Sequence, residues 1–266
     1  MISILDSIIP NNNKNLSISI KLFFILIVVL FPFGVIFMLR GLITPENTWM
    51  VSVYLSIAGL ISILYLISIT ETVPSVFFIG AVLILATGAE AVGLRTGYPF
   101  GHYLYTEHFI PLLPGDVPLA ITLSWLIVSI NSFLICRLLI PNPKNPYIVP
   151  FSAGIIILAF DVLLEPFGSF INKYWLWENN FVPMQNFVSW YILGFMFTFM
   201  LEKTTRFIPV PTYRRRIVVP IVLLGLLVTQ FAIINFAHGY WLYTSVGIIT
   251  ILAVMRSIKR KYQNEI

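Results

Sequence analysis

Apolar runs of about twenty residues recur along almost the whole chain, and no other feature constrains its fold as tightly. A helix of that length just crosses the hydrocarbon core of a bilayer, and it satisfies its own backbone hydrogen bonds there. Eight segments can be drawn: 19–39, 49–70, 74–94, 117–139, 148–165, 186–202, 217–237 and 240–256, the last two divided only by His238-Gly239. With 58% hydrophobic and only 10% charged residues among 266, a soluble domain is excluded. The expected fold is all-α: a polytopic membrane helical bundle of about eight transmembrane helices. No linker, low-complexity stretch or internal repeat divides the chain, so residues 1–266 read as a single integral membrane domain. Residues 1–18 read as a mobile tail and 257–266 as a basic one. The run Leu22–Leu39 is too long for a secretory signal and no small-x-small cleavage site follows it, so it reads as a retained anchor.

Charge bias tests the span count independently. With eight spans the N-terminus, alternate loops and the C-terminus share one side, which carries most Lys and Arg if it is cytoplasmic. Of 16 basic residues, all but Arg40, Arg95 and Lys173 fall on that side, including Lys14, Lys21, Arg137, Lys144, Arg214–Arg216 and Arg256. A seven-span chain would separate the last two basic clusters. Both termini are therefore expected in the cytoplasm, with the basic loops against anionic lipid headgroups. Nothing points to nucleic acid. The single cysteine, Cys136, excludes an internal disulfide and a cysteine metal cage.

Against this background, acids inside the spans stand out. An ionised carboxylate at bilayer depth costs roughly 2.5–3.5 kcal/mol, so it needs a partner, a water cavity or a function. Asp161 and Glu165 lie four residues apart and share a helix face before Pro166. Two such groups repel, which favours a neutral acid beside a carboxylate, the equipment for general acid–base chemistry. The structural alternative bonds Asp161 to a neighbouring helix and leaves Glu165 at the interface beside a helix-ending Pro166. Glu90 is a third acid, in a stretch where Thr87, Gly88, Ala89 and Gly93 allow close helix contact. Its structural alternative is an ion pair with Arg95. The expected topology brings Glu90, Asp161, Glu165, Gln185, Asn186, Asn235 and His238 into the outer half of the bundle with the 95–116 connection, predicting one polar pocket there.

The aromatic segment Gly97–Tyr105 and the Trp175-Leu-Trp177 motif suit interfacial anchoring, or the stabilisation of a cation if they line the pocket. His102, Glu107, His108 and His238 have no standard metal-ligand spacing, and no phosphate loop, dinucleotide fingerprint or nucleophile elbow appears.

Several of these motifs together resemble a known family. Glu90-Ala-Val-Gly-Leu-Arg-Thr-Gly-Tyr-Pro-Phe-Gly-His-Tyr-Leu-Tyr105, Gly115-Asp-Val-Pro-Leu-Ala-Ile-Thr-Leu-Ser-Trp125, Asp161-x-x-x-Glu165-Pro166, Tyr174-Trp-Leu-Trp-Glu178 and Val182-Pro-Met-Gln-Asn-Phe187 occur in order. This pattern, over about residues 85–200, resembles the membrane-bound carotenoid biosynthesis proteins that include bisanhydrobacterioruberin hydratase and the γ-carotene or lycopene 1′,2′-hydratases. In that family the second acid of the Asp-x-x-x-acid-Pro motif is often Asp; here it is Glu165. The resemblance implies hydration of the terminal 1,2 (1′,2′) double bond of an acyclic carotenoid end, giving a tertiary alcohol. It also implies a carotenoid substrate within the bilayer of a prokaryotic plasma or inner membrane, and leaves room for association with other enzymes of the pathway.

A mechanism built on the residues fits this implication. A neutral carboxylic acid protonates C-2 of the alkene, and a water held by another carboxylate attacks the tertiary cation at C-1. Asp161, the deeper of the pair, is expected to be the acid, with Glu165 or Glu90 positioning the water. Tyr103 and Trp125 are candidate cation-stabilising faces, and Tyr98, Trp177, Gln185 and Asn186 complete the expected substrate site. No redox or metal cofactor is required. The competing expectations are a lycopene-cyclase-like enzyme, which begins with the same protonation but excludes water, and a non-catalytic carotenoid or lipid binding or transport protein. The absence of inverted repeats weighs against transport.

Overall fold

The structure, a computed structural model, describes residues 9, 13–44, 47–106, 109–140, 143–205 and 218–263. Among these residues are eight long helices: α1 (Lys14–Leu39), α2 (Trp49–Ile69), α3 (Thr72–Thr96), α4 (Leu119–Leu139), α5 (Ile148–Glu165), α6 (Met184–Thr204), α7 (Val218–Ala237) and α8 (Trp241–Gln263). The first seven are long and apolar enough to cross a membrane. The eighth is apolar only over Trp241–Val254 before it turns basic at Arg256 and Arg260. The all-α membrane bundle read from hydropathy is what the chain forms. The tails are shorter than expected: α1 starts at Lys14, where the Asn13 side chain accepts the Leu16 N–H at 3.2 Å. At the other end α8 carries residues 257–263 as helix.

The middle of the bundle is α4, buried along nearly its whole length and packed against α2, α3, α5, α6, α7 and α8. A helix apolar on every side belongs in such a position. The outer helices instead expose large apolar residues, among them Val73, Ile84 and Leu242, as a lipid-facing surface requires.

The connections at one end of the bundle build the only sheet structure among the described residues. Strand β1 (Tyr103–Tyr105) pairs antiparallel with β4 (Trp175–Trp177), and β2 (Leu112–Leu113) pairs with β3 (Val117–Pro118). Two long loops, one after α3 and one after α5, are thereby fastened to each other. Gly97 ends α3 with φ 75°, and its N–H bonds the Gly93 carbonyl, the left-handed cap that glycine adopts without strain. From α6, Gln185 Nε2 donates to the Gly97 carbonyl at 3.2 Å and Ser189 Oγ to the Pro99 carbonyl at 2.6 Å.

Pro166 does not end its helix. The chain continues as a π-helical segment, Pro166–Ile171. Proline has no N–H to give and its ring crowds the preceding turn, so the wider coil accommodates it, as π-turns in helices commonly do near functional sites. The π segment lets Gly168 meet the Trp175 ring so closely that an added Cβ would collide with it.

Candidate active site

The β1–β4 ladder explains how two loops present four aromatic rings to the bundle. In its register Tyr103 faces Trp177 and Tyr105 faces Trp175. Residues two apart on a strand share a face, and directly opposed residues share it too. The four rings therefore project together, with centroids 5.2 Å apart for Tyr103–Trp177 and 5.4 Å for Tyr103–Tyr105. Leu104 and Leu176, between them, point the other way and are exposed.

The two strands divide the carboxylates between them. Glu90, buried near the end of α3, accepts the Tyr103 hydroxyl at 2.5 Å, the Tyr105 hydroxyl at 2.8 Å and Trp125 Nε1 of α4 at 3.1 Å. Glu165, at the end of α5, accepts Trp177 Nε1 at 2.9 Å, Trp175 Nε1 at 3.2 Å and Asn186 Nδ2 at 3.1 Å. Asn186, in the first turn of α6, also donates from Nδ2 to Asp161 Oδ2 at 2.9 Å and so ties the two acids of α5 together. The other Asp161 oxygen, Oδ1, is buried with no hydrogen-bond partner among the described residues. Three donors aimed at one carboxylate complement negative charge, whereas Asp161 has only one. Burial first, and then the neighbouring Glu90, pushes the Tyr103 and Tyr105 phenols well above their ordinary range, so both remain donors.

Between these groups lies a cavity of about 20 Å³, room for one water. Its polar wall is Glu90, Glu165, Asn186, Tyr103 and Tyr105; Phe100, Ile121, Leu164, Trp175, Trp177 and Trp190 supply the apolar wall. A water-sized space between two carboxylates, closed by aromatic faces, is suited to adding water across an apolar bond and to supporting positive charge while it forms.

The structure gathers Glu90, Glu165, Tyr103, Trp177 and Asn186 on this cavity. Asp161 sits behind the wall rather than on it, so greater depth in the span does not put it against a bound alkene. Trp125 also stands behind, its indole edge on Glu90 and its face stacked on Trp190 at 4.1 Å. Two expected substrate residues do not arrive. Tyr98 is 72% exposed in the turn after α3, and Gln185 spends its amide on the Gly97 carbonyl. Asn235 donates to the Leu163 carbonyl at 2.9 Å, and His238 Nδ1 lies 2.9 Å from the Ile234 carbonyl, so neither joins the cavity. Arg95 is exposed and forms no ion pair with Glu90. Gly88 is exposed too and makes no close helix contact.

Six wall residues, Phe100, Tyr105, Ile121, Leu164, Trp175 and Trp190, lie outside the expected site. The i, i+2 spacing of Tyr103/Tyr105 and Trp175/Trp177 was the available signal, because it places each pair on one face once these segments are strands. Among the described residues no group of three His, Cys, Asp or Glu side chains is disposed to hold a metal ion; Glu107 and His108 lie outside the described residues.

Comparison with known proteins adds two findings. Residues 50–254 match the family model described as carotenoid biosynthesis protein. Over 118 residues the chain is 30% identical to a protein named bisanhydrobacterioruberin hydratase from Haloarcula japonica, an alignment covering 43% of this chain and 40% of that relative. The match thus spans well under half the length of that relative. No solved structure matches.

Proposed function

The chain belongs to the carotenoid biosynthesis protein family, and from that premise we propose that it hydrates the terminal 1,2 (1′,2′) double bond of an acyclic carotenoid end group to a tertiary alcohol. The observation that carries this reading is the water-sized cavity whose wall holds both Glu90 and Glu165. The name of the Haloarcula japonica relative supports hydration as the reaction.

In this proposal the Asp161–Glu165 pair shares one proton: the single donor on Asp161 favours it there at rest, and the reacting form carries it on Glu165, the member on the cavity wall. Protonation at C-2 moves the alkene electron pair into a new C–H bond and leaves the tertiary cation at C-1. The water in the cavity attacks C-1, and Glu90 takes the proton that the attacking oxygen loses. Net addition is one water; return of a proton from Glu90 to the pair resets the site. The faces of Tyr103 and Trp177 flank the developing cation. Asn186 holds the pair in register, and the indole donors hold Glu165 against the cavity. The basic loops support both termini in the cytoplasm and the site in the outer half, and the Haloarcula japonica source of the relative supports a prokaryotic plasma membrane.

The test is expression in cells that accumulate lycopene or γ-carotene, followed by pigment mass measurement. Hydration adds the mass of water, whereas a cyclase yields an isomer and a binding protein leaves the pigment unchanged. Glu165→Gln and Glu90→Gln, with protein still accumulating in membranes, should each remove hydrated product. Hydration at the parental level in either variant overturns the assignment of these carboxylates.

A further inference from the structure

Two further cavities continue from the carboxylate chamber, each sharing lining residues with the one before it. The second, about 30 Å³, shares Ile121, Leu164 and Trp175 with the first as a common partition. It extends between Tyr54, Leu227 and Phe231. The third, about 80 Å³, shares Phe160 with the second and continues between Ala159, Leu163, Leu224 and Gly225. One stripe of α5 runs past all three: Ile156, Ala159, Phe160, Leu163, Leu164 and then Phe167 just beyond its end. Those positions recur at three and four residues, the spacing of a single helix face. At 1.5 Å per residue the stripe leads about 14 Å from Glu165 towards the middle of the bundle. The third cavity is almost wholly apolar, and a Cβ added at Gly225 would meet nothing within 4 Å.

We propose that these cavities form one path that holds the unreacted isoprenoid chain of the substrate along α5, with its terminal alkene against the water-sized carboxylate chamber at the Leu164 partition. The proposal rests on the hydration reading and names where the rest of the substrate goes. A short alkene meets the water-sized chamber from the second cavity once Leu164 turns aside; a long chain must also pass Phe160 into the third. The occupant is a linear apolar isoprenoid, because the path is narrow, runs lengthwise and ends without a charged group. Length discrimination then resides at Phe160, Ala159 and Gly225 rather than at the carboxylates.

The experiment fills the far cavity in the full-length protein with Gly225→Leu, and separately with Ala159→Leu, using Gly225→Ala as the smallest step. Two readouts are taken: the pigment retained per protein after purification in detergent, and the ratio of lycopene hydration to hydration of the short probe 2,6-dimethyl-2-octene. The expected result is graded loss of retained pigment and a fall of roughly tenfold or more in the lycopene-to-probe ratio for Gly225→Leu, the scale of a few methylenes' worth of pocket volume. Unchanged retention and an unchanged ratio in both leucine variants overturn the path. So does purified protein whose cavity holds a phospholipid acyl chain that lycopene does not displace. If the parent hydrates neither compound yet its bound lycopene is lost on filling, the path stands and the hydration reading fails.

Discussion

Asn186 is the residue at which the arrangement of acids can be tested quantitatively. Its Nδ2 sends one proton to Asp161 Oδ2 at 2.9 Å and the other to Glu165 Oε1 at 3.1 Å. Leucine at this position keeps the volume and removes both donors. Glu165 would keep two indole donors on Oε2, but Asp161 would keep none, because Oδ1 already has no partner. Hydrogen bonds to charged groups contribute about 1.5–3 kcal/mol each, and a buried acceptor left without a donor costs about 1–3 kcal/mol. If both acids carry charge, Asn186→Leu should cost about 3–5 kcal/mol; if Asp161 is neutral, its share shrinks and the total is about 2–3 kcal/mol. The assay is reversible unfolding in mixed micelles followed by tryptophan fluorescence, within double-mutant cycles. Asn186→Leu with Asp161→Asn should show coupling of about 1.5–3 kcal/mol. Asn186→Leu with Trp177→Phe should couple more weakly, because those donors occupy different oxygens of Glu165. A loss below about 0.5 kcal/mol, or equal coupling in both cycles, refutes the claim that Asn186 is the sole support of Asp161.

Tyr103→Phe and Tyr105→Phe each remove one of three donors on Glu90 and should cost about 1–3 kcal/mol apiece in the same unfolding assay. Both phenols are held above their ordinary value of about 10, so the folded state keeps protons that the unfolded chain releases. Their stabilisation is complete below about pH 10 and declines as pH rises towards the folded values. Denaturation midpoints taken above and below that pH should show a decline in the parent that is shallower in Tyr103→Phe. Gly168→Ala forces a Cβ into the Trp175 ring and should destabilise by about 1–3 kcal/mol or more, whereas Gly88→Ala, exposed on α3 with nothing near its Cβ, should gain about 0.5–1 kcal/mol. Tyr54→Phe and Tyr174→Phe should lie within about 0.5 kcal/mol of the parent, since neither buried hydroxyl has a hydrogen-bond partner among the described residues; a larger loss would reveal a bond that each hydroxyl makes.

Hydropathy located the helices to within a few residues because a bilayer demands long, internally bonded segments, and that demand is written locally. Thus 148–165 was read end for end as α5, and the break at His238-Gly239 separates α7 from α8. Polar residues continue a helix into both segments read as tails, over 14–18 and 257–263. Pro166 was read as a stop because proline chemistry is local, while the room for a π segment comes from its neighbours, Gly168 against Trp175 among them. The acids stood out for the same reason the helices did: charge is rare in an apolar run. Their partners did not stand out, because Trp177 reaches Glu165 only once two loops pair as strands, a contact set by register rather than by composition.

That difference bears directly on how three chemically similar acids come to have different surroundings. Depth along the span ranked Asp161 first, since it lies one turn further from the end of α5. What a carboxyl group can do, however, depends on which donors surround it and whether it borders the cavity. Glu90 is served by a strand and by α4, and Glu165 by the partner strand and by α6; both face the same water-sized space. Asp161 is served by α6 alone and stands behind. The donors come from residues 10 to 35 positions away in sequence, so no window around the Asp-x-x-x-Glu-Pro motif contains them. In the proposed site the working unit is therefore the motif together with the strand pair that closes over it. Substitutions that unpair β1 from β4 should disable Glu90 and Glu165 together even when every carboxylate is left in place.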